Sequence, residues 1–115
     1  LSFAVQGGDT QDQNLLQFFL NVVEFGMTVQ EACEAANVTS YQMHDSFADH
    51  KIYPGKLDVN AKTPPDVVEA LRGMGYAVKV RKYTSGPINA IFFDRAHGTF
   101  WGGSSNYGED YGVAW

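Results

Sequence analysis

Ser2-Phe3-Ala4-Val5-Gln6-Gly7-Gly8-Asp9-Thr10, leading into an apolar run from Leu15 to Phe25, reads as a strand, a tight turn and a helix in succession. Two consecutive glycines permit backbone angles that other residues resist, and they leave amide N–H groups uncovered at the positive end of a helix. Such a turn can hold an oxyanion, and the same turn also serves plain packing in α/β proteins; the residues alone leave both open. Asp9 is the expected N-cap, with Asp12 three residues on favouring the helix dipole. Leu15, Leu16, Phe18, Phe19, Leu20, Val22, Val23 and Phe25 cover most of the helical circumference, which predicts a helix buried on nearly all sides.

Outward from this unit, Gly26 ends the helix, and Thr28 with Glu31 forms a capping box for a second helix running to about Ala36. Possible short strands lie around Tyr41 to Ala48 and Lys56 to Asn60. Thr63-Pro64-Pro65-Asp66 opens a third helix, with Thr63 as cap and Pro64 in the first turn. Val67, Val68, Leu71 and Met74 form its core stripe and Gly75 its stop. Tyr76 to Lys82 alternates as a strand, Ile88 to Phe93 reads as a more deeply buried one, and Asp94 to Gly98 is a hairpin loop returning through Thr99 to Gly102. The order predicts an α+β fold in which the last three strands form an antiparallel meander with helices on one face. A first helix apolar all round needs a further layer that so short a chain does not supply.

With 115 residues the chain is a single domain or a fragment of one. Its charged share of 18% is below the roughly 25% of soluble domains, which suggests surface covered by a partner. A net charge of -5 argues against nucleic-acid binding. The one basic cluster, Lys79-Val80-Arg81-Lys82, alternates as a solvated strand face or end does. No stretch approaches the roughly 20 apolar residues that span a membrane, and a basic signal-peptide start is lacking, so no membrane association is expected. The start at Leu1, almost directly in a strand, suggests a longer precursor.

Several constellations favour bland readings. Cys33, the sole cysteine, sits among alanines and reads as packing, with no internal disulfide possible. His44-Asp45 and Asp49-His50 gather metal-ligand types, but their spacing sends them to opposite sides of a strand, so an exposed polar segment is expected and neither metal nor cofactor. Asn37-Val38-Thr39 is an incidental glycosylation sequon. Nucleophilic catalysis needs an activated Ser, Cys or Thr, and Leu1 cannot act through its α-amine. Gly102-Gly103-Ser104-Ser105-Asn106 reads as a loop, although a strand end can lie near a site. Tyr107, Tyr111 and Trp115 suit packing onto another segment or subunit.

Taken in order, G-G-D-x-Q-x-Q at Gly7 to Gln13, N-V-V-E-F-G-M at Asn21 to Met27, and Q-E-A at Gln30 to Ala32 resemble the γ-glutamyltranspeptidase family. The likeness continues through Val67 to Met74 with Gly75-Tyr76-Ala77-Val78, then Ala90-Ile91-Phe92-Phe93-Asp94 and Gly98-Thr99-Phe100-Trp101-Gly102-Gly103. It implies the C-terminal part of the small subunit of a self-cleaving N-terminal-nucleophile hydrolase, whose fold is an α-β-β-α sandwich. It implies transfer or hydrolysis of γ-glutamyl amides such as glutathione by a Thr nucleophile upstream of this chain. The remainder of the precursor, the large subunit and the start of the small one, would be its partner. By resemblance Gly7 and Gly8 supply the oxyanion-stabilising amides, Gln11 and Gln13 belong to the helix cap, and the chain alone is inactive. Ala35-Ala36-Asn37-Val38 and Ser105-Asn106-Tyr107 depart from the family's Ala-Pro-Arg and Asp-Pro-Arg. Two other readings stand beside this one: a non-catalytic binding or assembly module that self-associates, and a related acylase acting on other amides.

Overall fold

The computed structural model describes residues 1–47 and 49–107. Strand β1 (Ser2–Val5) passes through the glycine doublet into one turn of 3-10 helix (Gly8–Thr10) and then helix α1 (Gln11–Val23). Helix α2 (Val29–Glu34), strands β2 (Val38–Ser40) and β3 (Lys56–Asn60), helix α3 (Pro65–Gly73) and strands β4 (Ala77–Arg81), β5 (Ile88–Asp94) and β6 (Thr99–Ser104) follow. The fold is α+β, with mostly antiparallel pairing.

The strands form two three-stranded sheets rather than one terminal meander. The first has the order β1-β5-β6 and is antiparallel throughout. The second has the order β2-β3-β4, with β3 and β4 parallel and joined by α3. Strand β4 therefore leaves the expected meander. The α3 crossover makes β3-α3-β4 a βαβ unit, and such a unit requires parallel strands in one sheet. Hydrogen bonds from β4 are thereby used by β3, and β5 takes β1 as its second neighbour.

Local signals read in part as expected. Thr28 and Glu31 close a reciprocal box, Glu31 N–H donating to Thr28 Oγ1 at 3.2 Å and Thr28 N–H to Glu31 Oε2 at 2.8 Å. The last turn of α2 stops at Glu34, because Ala35 is already extended. Asp9 does not cap α1: Thr10 holds that position without a side-chain bond to the helix, and the Asp9 carboxylate is engaged elsewhere. Helix α3 starts one residue later than expected, with Pro64 at the cap and Pro65 in the first turn. Tyr41 to Phe47 is loop rather than strand, and Ala48 lies outside the described residues.

Phe18, Val29, Ala32, Cys33, Ile88 and Ala90 form the main core, packed against Phe3, Val5, Val22 and Met27. Leu57, Val59 and Val68 are buried in the second sheet and α3, while Val67 and Met74 of the expected stripe are exposed. Helix α1 is covered on one side only: Phe18 is 1% exposed, yet Leu16 is 57% and Val23 49% exposed. Strand β5 likewise buries Ile88 and Ala90 and leaves Ile91 and Phe93 half exposed. The helix thus lacks the burial on nearly all sides that was expected and the strand is deeply buried on one face alone, because the described residues supply a neighbour to one face of each. No helix among them is long and apolar enough to cross a membrane.

Two glutamines on successive turns of α1 hold the outer edge of β2. The Gln13 amide donates to Ser40 O at 3.0 Å and accepts from Ser40 N at 2.8 Å. Gln17 does the same at Val38, at 2.9 and 2.8 Å. Because residues four apart share a helix face and residues two apart share a strand edge, the two side chains act as a short surrogate strand. Gln30 repeats the device on Ser104 of β6, at 2.8 and 3.1 Å.

Candidate active site

The glycine doublet adopts angles that require glycine. Gly7 has φ 138° and Gly8 φ 56°, both outside the region favoured by L residues. A methyl group on Gly7 would lie 2.6 Å from Thr10 Oγ1, and one on Gly8 would lie 3.2 Å from the Phe47 ring. The Gly7 carbonyl is occupied, accepting from Thr10 N at 3.2 Å and Thr10 Oγ1 at 2.9 Å. The Gly7 and Gly8 amides have no acceptor among the described residues. Both residues line a cleft of about 370 Å³.

One wall of that cleft is the turn itself, Gly7 to Thr10, with Gln13 from the first turns of α1. Facing it is the loop between β2 and β3, which contributes Tyr41, Met43, His44, Asp45, Phe47, Lys51 and Tyr53. Lys56 Nζ lies 3.9 Å from the centre of the Tyr41 ring and 4.8 Å from that of Tyr53, so one ammonium steadies two rings of this wall. The Tyr41 hydroxyl donates to Asp58 Oδ2 at 3.2 Å, and Arg81 Nε reaches the same oxygen at 3.3 Å. Burial, followed by the Asp58 charge, raises the Tyr41 pKa above its ordinary value, so the phenol stays protonated.

Behind the turn lies a polar network that the sequence did not disclose. Asn14, 2% exposed, donates through Nδ2 to Gly86 O at 3.3 Å and accepts from Asn37 Nδ2 at 3.1 Å. Asn37 also donates to Ser85 Oγ at 2.5 Å, and its Oδ1 accepts from the Thr84 hydroxyl. The Thr39 hydroxyl, 1% exposed, donates to Thr84 O. Asn37 and Thr39 of the sequon are therefore committed inside the fold. The available signal was Asn14 itself, a polar residue at the head of an apolar run, together with the turn-forming Ser85-Gly86-Pro87.

The other singled-out residues fall away from this cleft or do structural work in it. Gln13 holds β2 rather than capping α1, and Gln11 is the first residue of α1. His44 Nδ1 lies 3.0 Å from His50 O and His50 Nδ1 2.8 Å from Asp45 O, so both rings face backbone. No group of three or more metal-ligating side chains occurs among the described residues. Cys33 is buried in the core, and burial pushes its thiol up to about 11. Gly102, Gly103 and Ser104 belong to β6 rather than a loop, and Gly103 lies so close to Val29 that a methyl there would be 2.7 Å from Val29 Cγ1. Ser105 Oγ accepts from Ile88 N at 3.1 Å, and Ser105 lines a second cleft of about 200 Å³ with Cys33 and Tyr83. Tyr107 packs on Tyr83, ring centres 4.4 Å apart, while Tyr111 and Trp115 lie outside the described residues.

The γ-glutamyltranspeptidase family model matches residues 1–115. A solved structure of a variant of LmbA2991 is 31% identical with a TM-score of 0.82, over 90% of this chain and 19% of that one. The γ-glutamyltranspeptidase from Pseudomonas nitroreducens complexed with L-DON is 22% identical with a TM-score of 0.76, over 97% and 53%. A cephalosporin acylase from Bacillus halodurans is 24% identical with a TM-score of 0.73, over 90% and 18%. No curated protein matches significantly. The chain thus spans about a fifth of the LmbA2991 chain and about half of the Pseudomonas one. Matched along its whole length, and sharing the α+β fold of N-terminal-nucleophile hydrolases, this chain belongs to the γ-glutamyltranspeptidase family.

Proposed function

We propose that this chain is the C-terminal segment of a γ-glutamyltranspeptidase-like enzyme and contributes the Gly7 and Gly8 amides as its oxyanion hole. The observation that carries the reading is the pair of amides without an acceptor, on two glycines held at positive φ, lining a cleft. When a nucleophile attacks an amide carbonyl, the oxygen gains negative charge. Two fixed N–H donors at that position stabilise it more than they stabilise the ground-state carbonyl. Removing one such donor in other acyl-transfer enzymes costs about 3 to 4 kcal/mol.

The attacking group in this reading is an N-terminal Thr released by self-cleavage of the precursor upstream of Leu1. The large subunit and the beginning of the small subunit are then the partner. The half-bare apolar side chains of α1 and β5 support such a cover, because each belongs to an element that is otherwise built for burial. A second reading, hydrolysis of amides with a non-glutamyl acyl group, is favoured by Met43, Phe47 and Tyr53 on the far wall of the cleft, since these suit an apolar acyl chain.

The test is to express the precursor that carries this chain and to assay the self-cleaved assembly on a γ-glutamyl anilide and on an apolar acyl anilide. Turnover of neither by a folded, cleaved assembly sinks the catalytic reading. Gly8→Pro deletes the donor and is closed at φ 56°. Gly8→Ala retains the N–H and strains the turn less than proline, whose ring fixes φ at a negative value, so kcat largely kept in Gly8→Ala and lost in Gly8→Pro is the expected pattern, and equal loss in both assigns the effect to the backbone conformation.

A further inference from the structure

Asp9 adjoins the glycine doublet, but its carboxylate is turned across the cleft. Oδ2 accepts from Ser46 N at 2.5 Å, between residues 37 positions apart in sequence. The loop around Ser46 is otherwise closed upon itself. Asp45 Oδ1 accepts from Phe47 N at 2.9 Å, and Asp45 N donates to Lys51 O at 3.1 Å. The Asp9 carboxylate thus joins this loop to the glycine turn, through the Ser46 backbone N–H first and the Ser46 side chain second. The next residue, Phe47, has its ring edge 3.2 Å from where a Gly8 side chain would begin.

We propose that Asp9 is a positioning residue, which by binding Ser46 N–H holds the Phe47 ring against Gly8 as an apolar side wall of the oxyanion site. This rests on the oxyanion reading of Gly7 and Gly8. A ring at that place displaces water from beside the Gly8 amide, and a hydrogen bond to a developing oxyanion gains strength where water is excluded. The bond depends on a competent acceptor at position 9. The Ser46 backbone N–H chiefly, then the Ser46 side chain, hold the Asp9 carboxyl below the usual carboxylate range, so the acceptor is ionised at neutral pH. The other titratable groups that act on it are Asp45 and His50. A methyl group at position 8 would press on that ring edge, so the two residues are in direct contact across the cleft.

The experiment compares Asp9→Asn, which keeps an acceptor oxygen, with Asp9→Leu, which has a similar shape and none, in the assembled and self-cleaved protein. Asp9→Leu is expected to lower kcat by about 10- to 100-fold with KM little changed, as misplacement of a transition-state group does. Asp9→Asn should stay within a few-fold of the parent, and amide exchange at Ser46 should quicken in Asp9→Leu alone. If Asp9→Leu does not assemble, Asp9→Ala takes its place. An unchanged kcat in the variant lacking the acceptor overturns the proposal, as does equal loss in both variants or a rise in KM alone. Should the parent turn over neither anilide, the oxyanion reading has failed. Exchange at Ser46 then decides the clamp separately, and unaltered protection in Asp9→Leu removes it.

Discussion

Gly86 lies against the carbonyl of Gln6 with no room for a side chain: a methyl group on Gly86 would overlap the Gln6 carbonyl oxygen and come within 2.6 Å of its carbon. That carbonyl shares one planar peptide unit with the Gly7 N–H. The position of Gly86 therefore sets the plane of one of the two proposed oxyanion donors. Asn14 holds Gly86 in turn, through the bond to its carbonyl oxygen.

Gly86→Ala is accordingly expected to destabilise the assembled protein by about 1 to 3 kcal/mol, the usual cost of forcing a methyl into a filled site. Its kcat should fall further than stability explains, because the Gln6 to Gly7 peptide must rotate or shift. Denaturant melts alongside steady-state kinetics check this. A variant with parental stability and kcat would show that the turn yields without consequence.

Gln13 and Gln17 each satisfy an N–H and a C=O on the edge of β2, and α1 touches the second sheet through these pairs. Replacing either by Leu preserves helix propensity and strands the partner groups. The expected loss is about 1 to 2 kcal/mol each, with faster amide exchange at Ser40 in Gln13→Leu and at Val38 in Gln17→Leu. Because the two share one strand, the double variant should lose less than the sum of both. Exchange rates that stay at parental values would show water replacing the side chains at no cost.

What the sequence made legible was local. The capping box at Thr28 and Glu31, the strand-turn-helix at Gly7 and Gly8, and the hairpin closing at Gly98 each follow from residues within a few positions of one another. The partner of β4 was not legible, because the alternation of Tyr76 to Lys82 fits either sheet and only the α3 crossover decides between them. Nor was the role of Asp9: an acid after two glycines is a natural cap until a backbone amide from a distant loop competes for it. At the candidate site the doublet could be found, while Asn14, Gly86 and the loop facing the doublet could not, since they converge from segments far apart. The over-estimate of burial on α1 and β5 has the same origin, for apolar periodicity reports that a face needs cover and is silent on which chain provides it.

The Glu31 carboxyl is held below its ordinary value by the Thr28 backbone N–H first and the Thr28 hydroxyl second. The fold therefore binds the ionised form preferentially. Its contribution is fully present above the unfolded value near 4.5 and is lost as pH falls through the lower folded value. The stability gap between the parent and Glu31→Ala should thus be constant at neutral pH and close on acidification below that value. Urea melts of both proteins across the acid range measure it, and a gap independent of pH would assign the effect to the helix backbone alone.

Cys33 supplies the opposite sign. Burial, aided by the neighbouring charge of Glu34, raises its thiol from 9.0 to about 11, so the fold resists forming the thiolate. Stability from this source is complete below the unfolded value of 9.0 and erodes as pH climbs toward about 11. At mildly alkaline pH the native protein should react with a disulfide reagent only as fast as it opens, and at the ordinary thiol rate once unfolded in urea. Cys33→Ala should lessen the alkaline loss, since it removes the group that drives it. Rapid modification of the native protein would place the thiol at the surface of the second cleft rather than in the core, and that cleft would then be open enough to admit a ligand.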